Sequence, residues 1–173
     1  MNATFKKTLN AMPVTLENSQ KKFQLPLKLL WARAHFFLSE LSKIKKHRLT
    51  LKTQVQFRFV SDAEIKKWHR RYFNDPTATD VISFSMREGV DSKSQEDILG
   101  DILISVETAQ RQAKLYGKSL NEELTLYMIH GVLHLLGYDD LAPRKKKVMD
   151  KLQFSLLEKT MREKANEKKK KRA

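Results

Sequence analysis

The sequence predicts an α+β fold, with a small mixed β-sheet of about four strands, about five packed helices, and a metal site on one helix and the loop after it. Three observations carry this expectation. Runs with the period-2 alternation of a strand and runs with the three-and-four spacing of an amphipathic helix both occur, and they interleave irregularly. Only 5 glycines and 4 prolines stand among 173 residues, which leaves no room for a linker between domains. Two histidines four apart lie on an apolar helical run that ends in a glycine and two aspartates.

The elements follow in chain order. In "PLKLLWARAHFFLSEL", Leu27, Leu30, Trp31, Ala34, Leu38 and Leu41 form one stripe and Pro26 suits a first turn, so an amphipathic helix is expected. "TQVQFRFV" alternates Val55, Phe57 and Phe59 against Gln54, Gln56 and Arg58, the pattern of a half-buried strand. Ser61 with Glu64 makes a capping box, opening a helix that runs to about Arg71 and stops before Pro76. "DVISFS" (80–85) and "DILISV" (101–106) are β-rich runs, separated by the polar "MREGVDSKSQED", a loop long enough to move. A helix from about Glu107 closes at Gly117, and Ser119 with Glu122 opens another that carries the histidines to about Leu136. A last helix, roughly Arg144 to Arg162, grades into a basic end. A single domain over 1–161 and a disordered basic tail over 162–173 are therefore expected.

Charge narrows the partners. The chain carries +14; the tail "REKANEKKKKRA" has seven basic and two acidic residues, so +9 remains on the rest. A polyanion is the natural partner, and nucleic acid comes before membrane because no basic amphipathic helix is evident. Cysteine is absent, which excludes disulfides and thiolate metal sites and fits a reducing compartment. No apolar segment follows the two lysines of "MNATFKKTLNAMPVT", and no run approaches the roughly 18 apolar residues of a membrane span. A cytoplasmic protein without a membrane partner is the expectation.

The chemistry sits in "IHGVLHLLGYDD" (129–140). His130 and His134 project from one helical face a turn apart, and two imidazoles there can face one ion. Gly137 stands where the helix should stop and can turn the chain back in the left-handed conformation, bringing Asp140 round as a third ligand. Three protein ligands leave a position open, the layout of a hydrolytic zinc site. Gly131 between the histidines costs about 1 kcal/mol against alanine in a helix, which suggests a close approach to the backbone there. His35, His47 and His69 share no such spacing and read as ordinary.

"HGVLHLLGYDD" (130–140) resembles the signature His-Gly-x-Leu-His-Leu-x-Gly-Tyr-Asp-His of the YbeY family of bacterial metallo-endoribonucleases, differing at the last position. "TATDVISF" (77–84), "LGDILIS" (99–105) and "FVSDAEIKKWHRRY" resemble further blocks of that family, so the likeness spans roughly residues 50 to 145 in order. The resemblance implies an α+β fold, one zinc ion per chain, and single-strand-specific cleavage of RNA. It further implies a role in 16S rRNA 3′-end maturation and late ribosome quality control, with 16S rRNA and the small ribosomal subunit as partners. Carried over, the metal ligands are His130, His134 and Asp140. Asp140 stands where the family has a third histidine; Asp139 matches the aspartate before it. Many members carry an arginine in a Tyr-Arg pair before the Thr-Asp block; here Phe73 follows Tyr72, and Arg70 and Arg71 are the nearby candidates for holding phosphate.

Asp80, Ser83, Gly100 and Asp101 fall in matching blocks and read as structural, Gly100 for a bend or bulge and the aspartates for loop or ligand-orienting hydrogen bonds. A carboxylate that holds a ligand histidine by its other nitrogen is expected, and Asp101 or Asp139 is assigned to it. No general base is identified. In zinc peptidases of the His-Glu-x-x-His type the glutamate beside the first histidine does that work; here Gly131 has its place. Two alternatives remain at this stage: a non-catalytic RNA-binding assembly factor, and a metzincin-like zinc peptidase with the same ligand spacing.

Overall fold

A computed structural model describes residues 3–6, 12–87 and 98–170, with side chains from Met12 to Glu163. The chain runs β1 (Ala3–Lys6), β2 (Val14–Asn18), α1 (Leu27–Ser42), a 3-10 turn (Lys45–His47), β3 (Gln54–Val60), α2 (Asp62–Phe73), β4 (Val81–Ser85), β5 (Ile98–Ser105), α3 (Val106–Leu115), α4 (Leu120–Leu135) and α5 (Pro143–Lys170). The α+β class and the mixed sheet are as expected. The sheet order is β1-β2-β3-β5-β4, with β2-β3 and β3-β5 parallel and the two outer pairs antiparallel. It has five strands because the first 18 residues, unassigned in the sequence, supply β1 and β2.

Local signals set most boundaries. Ser61 and Ser119 each accept the backbone N–H three residues on, from Glu64 and Glu122, as the capping boxes predict. In β3, Val55, Phe57 and Phe59 are buried while Gln54 and Arg58 turn outward, as the alternation predicts. The expected bulge at Gly100 is present: Gln54 pairs with Ile98 but Val55 with Gly100, so Leu99 is the extra residue. A Cβ at Gly100 would stand 2.3 Å from the Phe84 carbonyl oxygen. One boundary differs. α5 continues to Lys170, past the expected stop at Arg162, because Glu, Lys and Ala in "REKANEKKK" are good helix formers and no glycine or proline interrupts them. Most of the loop expected at 86–97 lies outside the described residues.

The sheet separates two layers. One face carries α1, α4 and α5 over the large core, which includes Leu16, Phe37, Phe57, Ile102, Leu124 and Val132. The other carries α2 over Val60, Ile65, Ile82 and Leu103. Alternation along β5 makes the division sharp: Ile102 faces α4 and Leu103 faces α2. α4 is the central helix, buried on nearly every side beyond its first turn, where apolar residues predominate. Among its last seven residues only His130 and His134 are partly open.

Gly131 explains how closely α4 sits. A Cβ there would lie 2.6 Å from Ile102 Cγ2 and 3.2 Å from Ser83 Oγ, and Ser83 Oγ donates to the Gly131 carbonyl at 3.2 Å. The missing side chain lets β4 and β5 approach between the two histidines. Ile102 is fully buried and branched at Cβ, so it has little room to yield. Gly131→Ala is expected to destabilise the protein by about 1–3 kcal/mol, overcoming the roughly 1 kcal/mol gained in helix propensity. Urea unfolding measures this; a stabilised variant would show that the contact is slack.

At the far end of the sheet Asp62 accepts hydrogen bonds from Ser105 Oγ, Thr108 Oγ1 (2.8 Å) and Arg111 Nη1 (2.6 Å), joining α2 to α3. Burial alone would raise its pKa, but the bonds from Arg111, Ser105 and Thr108 outweigh burial and hold it below the ordinary carboxylate range. The sign follows from linkage: the contribution is complete above the ordinary value and is lost as pH falls through the lowered one. Between about pH 5 and pH 2, wild type should lose more stability than Asp62→Asn, in urea melts at matched pH.

Candidate metal centre

The site begins with the end of α4. Gly137 takes φ 82°, its N–H donates to the His134 carbonyl at 2.9 Å, and the Tyr138 N–H donates to the Leu133 carbonyl at 3.0 Å. This is a Schellman closure, which satisfies two of the last carbonyls and reverses the chain. The reversal has two consequences. It brings the Tyr138 carbonyl back onto the His134 ring, 3.1 Å from Nδ1. It also carries Asp140 over both histidines, with its oxygens 3.8 Å from His130 Nε2 and 3.9 Å from His134 Nε2.

The outer ring nitrogens set the tautomers. His134 Nδ1 meets a carbonyl, which can only accept, so that nitrogen carries the proton. His130 Nδ1 meets Gln153 Oε1 at 3.0 Å, and Gln153 Nε2 donates onward to Asp150 Oδ1 at 3.0 Å, so His130 is also protonated at Nδ1. Both Nε2 lone pairs then point inward, only 2.9 Å apart. Two acceptors at that distance repel unless a cation lies between them. One donor atom each from His130, His134 and Asp140 lies within 4.8 Å of the others, a group that could hold a metal ion. Burial, followed by the neighbouring His130, lowers the pKa of His134 below the ordinary imidazole value. Its neutral, ligating form is favoured. The donor set fits a borderline ion such as zinc, and three protein ligands leave a coordination position open.

The other expected site residues fall elsewhere. Asp139 caps the loop, accepting from the Leu141 N–H at 2.7 Å and from Lys145 Nζ at 2.9 Å, and these two bonds hold its pKa low. Asp101 pairs in register with Phe84, whose ring packs with the α2 core, so it faces away from α4 and lines a cavity with Arg58, Trp68 and Tyr72. Neither orients a histidine, contrary to expectation; Gln153 and the Tyr138 carbonyl do. Arg70 and Arg71 are exposed near the end of α2, the helix on the opposite face of the sheet from α4. Asp80 has its expected loop role, accepting from the Val81 N–H at 2.9 Å. Gln153 was legible in one respect: Met149, Gln153, Leu156 and Thr160 form the buried stripe of α5, and a lone amide on such a stripe calls for a buried partner.

A family model described as "Endoribonuclease YbeY" matches residues 15–161. The chain belongs to the YbeY family of endoribonucleases. A YbeY endoribonuclease of Heliobacterium modesticaldum is 40% identical over 113 residues, covering 61% of this chain and 68% of its own length. That of Desulforamulus reducens is 43% identical over 108 residues (61% and 71%), and that of Listeria monocytogenes is 34% identical over 160 residues (87% and 96%). The solution structure of TM1509 from Thermotoga maritima superposes with a TM-score of 0.57 at 24% identity, covering 89% of this chain and 93% of that one, which shows a shared fold. The YbeY match includes the whole of α4, its return loop and Gln153.

The geometry separates the two adjacent aspartates and tests the glutamine. Asp140→Ala should abolish tight zinc binding while Asp139→Ala retains it. Gln153→Leu should weaken zinc affinity about 10- to 100-fold by freeing the His130 ring, with an unchanged circular dichroism spectrum. Competition against a chromophoric chelator reads all three; wild-type affinity in Gln153→Leu would show that the amide does not orient the ligand.

Proposed function

We propose that this chain is a zinc-dependent endoribonuclease that cuts single-stranded RNA, acting in the cytoplasm in 16S rRNA 3′-end maturation and late ribosome quality control. The observation that carries the reading is the convergence of two Nε2 lone pairs and the Asp140 carboxylate on one point, in a chain of an endoribonuclease family. The net charge of +14 supports RNA as the substrate, since the phosphate backbone is the polyanion such a body attracts. Among the described residues no helix is long and apolar enough to cross a membrane.

Zinc held by His130, His134 and Asp140 would supply Lewis-acid activation of the phosphodiester and of the attacking water. The residues of the chain do the rest. Gln153 and the Tyr138 carbonyl hold the Nδ1 protons and so keep both Nε2 atoms free of protons and aimed inward. Asp140, where the resemblance places a histidine, would bring a negative charge that lessens the acidity of water at a bound ion. The peptidase alternative loses support at Gly131. The side chain that would serve as base is missing, and the space it would need is filled by Ile102 and Ser83.

Cleavage of an end-labelled single-stranded RNA, with and without a chelator, tests the proposal against a His134→Ala control. Cutting that stops with chelator and is absent from the control is expected. Tight binding by wild type with no cutting would instead identify a non-catalytic assembly factor, and peptide hydrolysis without RNA cleavage a peptidase.

A further inference from the structure

A cavity of about 370 Å³ opens against the return loop that carries Asp140, walled by residues 137–139, by Lys46, and by Arg144, Lys145 and Val148 of α5. Its cations are placed rather than scattered. The Lys46 ammonium lies 4.5 Å from the centre of the Tyr138 ring. The Tyr138 hydroxyl donates to His47 Nε2 at 3.0 Å, and the buried His47 ring donates from Nδ1 to the Leu41 carbonyl at 2.9 Å. Thus the 3-10 turn is tied to the same loop whose backbone holds His134.

Across the cavity, Arg144 and Lys145 occupy the first turn of α5. The positive end of a helix dipole favours acidic residues there, yet this turn has none. Lys145 is paired with Asp139 at 2.9 Å. Among the described residues neither Lys46 nor Arg144 has a carboxylate partner. Arg144 at the positive end of the helix and Lys46 across from it thus face the cavity without a carboxylate partner, a field that an anion would offset.

We propose that this cavity is a subsite for a backbone phosphate of the RNA strand whose neighbouring phosphodiester lies at His130, His134 and Asp140, with Lys46 and Arg144 as its main contacts. The proposal deepens the endoribonuclease reading and rests on it. Tyr138 joins the two places: its carbonyl orients a metal-site histidine and its ring positions Lys46.

The test is fluorescence anisotropy with a labelled single-stranded RNA across a salt series, in chelator so that nothing is cut. It compares wild type, Lys46→Ala, Arg144→Ala, the double variant, and a Lys66→Ala/Lys67→Ala control that removes equal charge from exposed positions on α2. All four cavity and control positions are exposed, and circular dichroism confirms the fold of each variant. Each cavity variant should weaken binding about 3- to 10-fold, and each lost cation should reduce the slope of log K against log salt by about 0.7. The control should change little. A double variant with wild-type affinity and slope, or a control that loses as much, overturns the subsite while leaving the nuclease reading intact. A wild type that binds anionic phospholipid vesicles but no RNA overturns both.

Discussion

The close contact between Gly131 and strand β5 sets the height of α4 above the sheet, and the site depends on that height. With no Cβ at this position, Ile102 and Ser83 meet the helix backbone between the two histidines. The helix is thereby buried on the sheet side, which leaves His130 and His134 as the partly open residues of its final turns. A helix seated one methyl group higher would shift both rings against Gln153, which reaches in from a different element. The glycine is therefore a packing requirement that doubles as a functional one.

From this seat the electrostatics follow. Each imidazole spends its Nδ1 proton on a fixed acceptor, one on a neighbouring helix and one on its own return loop. The inner nitrogens are left as facing lone pairs, a poor arrangement for a protein alone and a good one for a cation. Asp140 completes the set because Gly137 adopts a conformation that few other residues accept without strain. Two imidazoles and one carboxylate would offer three protein donor atoms to an ion and leave a coordination position open. Around the return loop the cations of the 3-10 turn and of the first turn of α5 provide the complementary field for a polyanion.

Much of this was legible in the sequence, and the parts that were not share a cause. Ser61, Ser119 and Gly137 act within four residues of their partners, so their spacing alone locates the start of α2 and both ends of α4. The convergence of His130, His134 and Asp140 into a group that could hold a metal ion was readable for the same reason, since helix periodicity and one tight turn relate all three residues. Strands β1 and β2 were missed because each is five residues or shorter; β2 gains its order from pairing with β3 some forty residues on, and β1 adds to the edge that β2 provides. Gln153 lies 23 residues from His130, and only packing brings them together. Asp101 cannot orient a histidine because strand alternation fixes its face: Ile102 faces α4, so its neighbour faces α2.

The most direct test of the central claim is the coordination of the metal itself, read by zinc K-edge X-ray absorption on the purified, zinc-loaded protein. The account predicts two imidazole nitrogens and a carboxylate oxygen at about 2.0–2.2 Å, with a further light-atom ligand in the open position; Asp140→Ala should lose the carboxylate oxygen. A spectrum with fewer than two imidazoles, or one unchanged in Asp140→Ala, would show that the metal sits elsewhere and contradict the account.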